Sequence, residues 1–226
     1  MDSDATMQAF LFDLDGTLID SMPHHHQAWV IWHARHGLRI DEAGFFAATA
    51  GRSNPEILAD LLPHADAVEI AALADEKESL YRELADGSLA LVPGAQQFAA
   101  AARAAGLRLA ICTASTPSNM ALAFDRLGVD RWVDTVTSPA DGLRGKPHPD
   151  IFLEAARRLQ VDPARCLVFE DAPLGIEAAR RAGMRAVALT TTLPASAFAS
   201  FDTLRAIAPD FGPLDLANLM KAHHHA

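Results

Sequence analysis

Short apolar runs alternate with longer stretches of helical period along most of this chain. The first run covers residues 9–14, with Phe10, Leu11 and Phe12 at its centre, and it stops at the acidic turn Asp15-Gly16-Thr17. A run this short, with no polar alternation, predicts a strand buried on both faces. Similar runs recur at residues 107–113, 167–170 and 186–190, with a weaker one at 132–137. Helical stretches lie between them. Pro93-Gly94 opens an alanine-rich helix that Gly106 closes. Thr116-Pro117 reads as an N-cap followed by proline at the first helical position, and Gly128 ends that helix. Pro149 starts another helix that runs to about Leu159, and Pro173 begins one that Gly183 ends. Strand and helix in repeated alternation predict an α/β fold: a doubly wound parallel sheet with helices on both faces.

Residues 23–91 break this rhythm, since no convincing strand pattern occurs there. Ser21-Met22-Pro23 starts a helix whose apolar face includes Trp29 and Trp32 and which Gly37 stops. Ser53-Asn54-Pro55-Glu56 has the form of a capping box, and a long helical pattern follows over residues 65–84. The expectation is a small all-helical domain at 23–91, inserted into an α/β domain formed by 1–22 and 92–226. The connections fall near residues 19–22 and 89–94. Trp29 and Trp32 are read as core of the insert rather than as a substrate platform.

Composition narrows the classes. Half of the 226 residues are hydrophobic, enough for a substantial core. The net charge of −10 repels nucleic acid and anionic membrane surfaces, so neither is expected as a partner. It leaves a phosphorylated substrate open, because a local cation or metal overrides the global field. The opening MDSDATMQAF has no basic start before an apolar run, and no stretch approaches the ~20 apolar residues of a membrane helix. A cytoplasmic protein is expected. Cys112 and Cys166 sit in apolar runs and read as buried thiols.

Ligands of a doubly wound sheet bind at the carboxyl ends of its strands. Asp13, Asp15, Gly16 and Thr17 follow the first run, and Thr113, Ala114 and Ser115 the second. Glu170 and Asp171 follow the fourth, and Gly145-Lys146-Pro147 forms a loop ahead of the Pro149 helix. Carboxylates gathered at one edge repel each other unless a hard cation neutralises them, and magnesium prefers oxygen ligands. A carboxylate can attack phosphorus to form an acyl phosphate. Asp15, two residues on in extended chain, lies on the same side and can give a proton to the leaving oxygen. A hydroxyl and an ammonium can hold the phosphoryl oxygens.

Phe12-Asp13-Leu14-Asp15-Gly16-Thr17-Leu18 resembles the first motif of the haloacid dehalogenase superfamily. Thr113-Ala114-Ser115, Gly145-Lys146-Pro147 and Glu170-Asp171 are similar to its other three motifs, in order, over about residues 8 to 190. The helical insert looks like that superfamily's small α-helical cap, and the nearest resemblance is to the β-phosphoglucomutase-like subfamily. The resemblance implies Asp13 as nucleophile and magnesium ligand. It implies Asp15 as general acid and then base, its backbone carbonyl on the metal. Asp171 would be a metal ligand supported by Glu170, and Thr113 and Lys146 would bind the phosphoryl group. Asp15 itself argues against the dehalogenases, whose pattern lacks this acid.

The cap is expected to choose the substrate. His25 matches a histidine of the mutase and of some sugar phosphatases, Lys77 and Tyr81 resemble its cap segment, and Gly51-Arg52-Ser53-Asn54 resembles its specificity loop. Where the mutase pattern has an arginine this chain has Asn54, with Arg52 two residues earlier, and a mutase must hold a bisphosphate by its far phosphate. The leading expectation is therefore a magnesium-dependent phosphatase for a small phosphorylated sugar or related metabolite, acting as a monomer or weak homo-oligomer. A sugar-phosphate mutase is the runner-up. A phospho-receiver signalling domain is the third reading, opposed by the helical insert and the Asp15-Gly16-Thr17 turn. Consecutive helical residues point in different directions, so His24-His25-His26 is not read as one ligand face. His223-His224-His225 is read as a terminal tail.

Overall fold

Phe10 and Phe12 lie on one face of the strand β1 (Ala9–Phe12) and Ala9 and Leu11 on the other, and all four are buried. This period of two divides the interior into two layers with β1 between them. In the computed structural model, which describes residues 6–221, β1 pairs in parallel with β2 (Arg108–Cys112) and β4 (Cys166–Glu170). β3 (Thr135–Thr137) adds outside β2, and β5 (Arg185–Leu189) and β6 (Leu204–Ala208) extend the other side, giving the order β3-β2-β1-β4-β5-β6. All neighbours are parallel, so the connections cross over the faces and carry helices.

One face packs Phe10, Phe12 and Phe169 against α5 (Ala95–Ala104) and α6 (Pro117–Leu127), with the short α9 (Leu216–Leu219) at the margin. Its centre is aromatic: Phe12 stacks on Phe169 at 4.8 Å between centroids and Phe10 on Phe98 at 5.9 Å. The other face packs Leu11, Val168 and Ala188 against α7 (Asp150–Leu159) and α8 (Pro173–Arg181). Cys112 and Cys166 are buried free thiols, and the Cys112 thiol is pushed up to about 12 by burial. Among the described residues no helix is long and apolar enough to cross a membrane.

Between β1 and α5 the chain forms α1 (Met22–Arg35), α2 (Glu42–Thr49), α3 (Asn54–Leu61) and α4 (Ala67–Ala85). These helices bury their own cluster, with Trp32, Leu58, Leu80 and Tyr81 at its heart. Trp32 is wholly buried; Trp29 is nearly so and also borders a cavity. Asp66 caps α4, accepting from Val68 N and Glu69 N at 2.9 Å each. Glu56 accepts from both Ser53 N and Ser53 Oγ at the start of α3.

The strand expectations differ from the structure in instructive places. The first two runs read longer than the strands, because pairing stops at Phe12 and Cys112. Asp13 N still bonds Phe169 O and Thr113 N bonds Thr137 O, each at 3.0 Å, and there the chain leaves the sheet. In the weak run at 132–137, Trp132 ends a 3-10 turn and only Thr135–Thr137 are strand. Sequence reasoning did not mark β6, an edge strand with one neighbour and Arg205 within it, nor α2, which buries no residue fully. His223-His224-His225 lies outside the described residues.

Candidate active site

The strand ends converge on one crevice. Asp13 follows β1, Glu170 ends β4 and Asp171 follows it. Carboxylate oxygens of these three buried residues lie within 4.8 Å of one another. Lys146, from the loop before α7, places Nζ 2.5 Å from Asp13 Oδ1 and 2.6 Å from Glu170 Oε1. Burial opposes the Lys146 ammonium, yet the charges of Asp13 and Glu170 outweigh it and hold its pKa above the usual lysine value. Burial raises Asp13 well above the usual carboxylate range; Lys146 pulls it down, and Glu170 and Asp171 add to the rise. Asp171 is raised by burial and then by the charge of Glu170. One ammonium cannot balance three ionised carboxylates in a dry place, so the cluster holds protons when no cation is there, and an all-oxygen donor set of this kind suits a hard divalent cation.

Two glycines make the cluster possible. A Cβ on Gly16, where φ is +75°, would sit 2.3 Å from Asp171 Oδ2, and one on Gly175 would sit 1.9 Å from the Glu170 carboxylate. Thr17 Oγ1 donates to Asp171 Oδ1 at 3.3 Å and Thr192 Oγ1 donates to Oδ2. Glu170 Oε2 accepts from Asp171 N and Ala172 N at 3.2 Å each.

Thr113 is buried just past β2, and its Oγ1 accepts from Ser115 N at 3.0 Å. Its own hydroxyl proton is left to donate. Ala114 and Ser115 line the same crevice. Asp15 is not among the three clustered carboxylates: Ser21 Oγ donates to its Oδ1 at 2.7 Å, and His25 Nε2 lies 3.6 Å away. Burial pushes the Asp15 carboxyl up, but His25, Ser21 and Ser115 outweigh it and hold it at about 2.

Above the crevice opens a cavity of about 450 Å³, closed on the far side by the helical insert. His25, in the first turns of α1, stacks flat on Tyr81 at 3.7 Å and accepts from Lys77 Nζ through Nδ1 at 2.7 Å. Lys77 is buried, pairs with Glu78 Oε1 at 3.1 Å and lies 5.4 Å from the centre of the Trp29 ring. Glu78 Oε1 also accepts from Asn54 Nδ2, and its Oε2 accepts from Asn119 Nδ2 at 2.5 Å. Arg52 and Ser53 border the cavity with their polar ends engaged elsewhere. Arg52 Nη2 bonds Asp60 at 2.6 Å and Glu56 O at 3.3 Å, and Ser53 Oγ bonds Glu56 at 2.7 Å. The histidine run splits three ways: His24 meets Ser88, His25 meets Asp15 and Lys77, and His26 stacks on Phe46.

Sequence reasoning missed Ser21, Glu78, Asn119 and Thr192. Ser21 was legible only as a helix start, but its hydroxyl goes to Asp15 rather than to a cap. Glu78 adjoins Lys77 and could have been suspected as its counter-ion. Asn119 and Thr192 carry no local signal.

The sequence model of the family described as haloacid dehalogenase-like hydrolase matches residues 7–183. The chain is 36% identical over 195 residues to the validoxylamine A 7'-phosphate phosphatase of Streptomyces hygroscopicus subsp. limoneus, covering 86% of this chain and 91% of that protein. It is 35% identical over 185 residues to the fructose-1-phosphate phosphatase of Escherichia coli K12, covering 78% and 93%. The crystal structure of β-phosphoglucomutase from Clostridium difficile superposes with a TM-score of 0.80 at 26% identity, over 93% of this chain and 94% of that one. The chain belongs to the haloacid dehalogenase-like hydrolases, as a phosphatase-type enzyme of the β-phosphoglucomutase-like branch.

Proposed function

We propose that this enzyme is a magnesium-dependent phosphatase that hydrolyses a small, sugar-like phosphate monoester through an aspartyl-phosphate on Asp13. The observation that carries this reading is Asp13 itself. It is a buried carboxylate at a strand end, 2.5 Å from the Lys146 ammonium and clustered with Glu170 and Asp171. The two relatives, whose names specify validoxylamine A 7'-phosphate and fructose 1-phosphate, support the substrate class.

Asp13, Glu170 and Asp171, with the backbone carbonyl of Asp15, would hold the ion. Bound there, a divalent ion offsets negative charge on the transferring phosphoryl group. Lys146 Nζ and the Thr113 hydroxyl donate to the phosphoryl oxygens and keep phosphorus in line with Asp13. A carboxylate oxygen of Asp13 forms the new P–O bond while the bond to the leaving alcohol breaks, and Asp15 supplies the alcohol's proton. Asp15, held low by Ser21 and His25, is ionised at rest, which suits the second half-reaction, in which it takes a proton from water attacking the phospho-enzyme. For the first half, the incoming phosphoryl charge favours the protonated form of Asp15. The insert acts as a cap that closes the cavity to bulk water while the phosphoryl group moves.

The second reading, a sugar-phosphate mutase, draws on the fold similarity to β-phosphoglucomutase. Asn54 speaks against it: bonded to Glu78, it stands where a mutase needs a cation for the far phosphate. The test is a screen of sugar monophosphates with magnesium, reading inorganic phosphate, with Asp13→Asn as the partner experiment. Phosphate release that Asp13→Asn abolishes in a folded protein is expected, and a fully active Asp13→Asn protein overturns the reading. Formation of glucose 6-phosphate from β-glucose 1-phosphate without phosphate release establishes the mutase instead.

A further inference from the structure

The far wall of the cavity is built around a carboxylate. Glu78 is buried on α4, and three groups from three parts of the chain point donors at it: Lys77 beside it, Asn54 at the start of α3, and Asn119 on α6 below. Burial raises its carboxyl, but Lys77, His25 and Asn119 outweigh that and hold it below the usual range, so Glu78 is ionised at neutral pH. Glu78, Asn54 and Asn119 all border the cavity.

What this wall leaves free decides what it can bind. A carboxylate oxygen accepts about two hydrogen bonds. Oε1 already accepts from Asn54 and Lys77, but Oε2 has only Asn119. Asn54 gives one amide hydrogen to Glu78, and its carbonyl oxygen is left as an acceptor. Asn119 Oδ1 is occupied by Arg82 Nη1 at 3.1 Å. Two acceptor positions, Glu78 Oε2 and the Asn54 carbonyl, therefore stand open on this wall. The cations tell the same story. Among the described residues, the full cations bordering the cavity are Arg52, Lys77 and Lys146. Lys146 serves Asp13 and Glu170, Lys77 serves Glu78 and His25, and Arg52 turns to Asp60. Asp75 at the rim adds a further negative charge.

We infer that Glu78, held by Asn54 and Asn119, is a specificity-determining residue that reads hydroxyl hydrogens of the leaving group and rejects a second phosphate. The inference rests on the phosphatase reading and narrows its substrate to polyhydroxylated compounds carrying one phosphate. A hydroxyl can donate to Glu78 Oε2 or to the Asn54 carbonyl. A phosphate dianion offers no hydrogen to either, and each full cation bordering the cavity is already paired with a carboxylate of the protein.

The test compares kcat/KM for a hexose 1-phosphate and the matching 1,6-bisphosphate, with p-nitrophenyl phosphate as a control that carries no sugar hydroxyls. Wild type should prefer the monophosphate by at least about tenfold. Equal use of the bisphosphate overturns the inference. Failure to hydrolyse any ester, the control included, overturns the phosphatase reading instead. Glu78→Gln keeps the shape and removes the charge. It should raise KM for the monophosphate and narrow the preference by about tenfold, and an unchanged preference overturns the inference. Should Glu78→Gln fail to fold, Asn54→Lys decides, because it places a cation at a half-exposed helix start. It should raise kcat/KM for the bisphosphate relative to the monophosphate, and no change in that ratio overturns the inference.

Discussion

The Lys77 ammonium donates to His25 Nδ1 at 2.7 Å, and that contact fixes which tautomer the histidine adopts. An ammonium has hydrogens and no lone pair, so Nδ1 must accept and the ring proton must sit on Nε2, which faces Asp15 Oδ1 at 3.6 Å. Burial and the charge of Lys77 lower the His25 pKa and keep the ring neutral despite the pull of Asp15. A positively charged residue on α4 thereby sets the hydrogen-bonding face that α1 turns to Asp15.

Replacing Lys77 with Met should release this tautomer and the orientation of Asp15 with it. The expected result is a fall in kcat of roughly 10- to 100-fold, the range seen when a supporting residue behind a functional group is lost, with a smaller change in KM. Lys77→Met also leaves Glu78 buried without its cation, a loss of about 3–5 kcal/mol. Adding Glu78→Gln should return part of the melting temperature without returning kcat. Steady-state kinetics and thermal melts on the single and double variants separate the two effects, and an unchanged kcat in Lys77→Met would refute the positioning role.

Gly175 sits in the first turn of α8, where alanine is favoured by about 1 kcal/mol in a helix interior. Steric contact reverses that sign here, because an added Cβ would lie 1.9 Å from the Glu170 carboxylate. Gly175→Ala should displace Glu170, loosen its bond to Lys146 and weaken magnesium binding by about tenfold or more. Calorimetric titration of magnesium into the variant checks this, and wild-type affinity in Gly175→Ala would show that Glu170 does not support the ion.

The chemistry at the strand ends was legible because a parallel sheet brings its carboxyl ends together whatever the details of packing. Asp13, Glu170 and Asp171 are each within a residue of a strand's last rung, and a motif at each end was enough to expect them in one crevice. Lys146 reaches them from a loop, and its place among the motifs stood in for geometry. Glu78 and Asn119 were illegible for the opposite reason. They meet only because α4 docks against α6, and neither helix carries a pattern that announces the partner's face. Arg52 marks the same limit: its position in the loop was readable, but its turn towards Asp60 was not. β6 was missed because an edge strand needs less apolar sequence than a central one.

Acid behaviour should follow the clustered carboxylates. Burial and then the charge of Glu170 push Asp171 up to about 7, against an ordinary value of 3.8, and Asp13 is raised in the same sense. Over pH ~4 to ~7 the metal-free folded protein therefore holds protons that the unfolded chain has released, and stability falls as pH rises through that window. Magnesium binds the ionised carboxylates, so its contribution runs the other way, small near pH ~5 and growing towards pH ~8. Thermal melts in chelator should show these carboxylates lowering the melting temperature as pH rises from ~5 to ~7, and melts with saturating magnesium should show a widening gain over the same range. Asp171→Asn removes the carboxyl that is pushed up to about 7 and should flatten both trends. A magnesium-induced gain that stays constant from pH ~5 to ~8 would show that these carboxylates are not the ion's ligands.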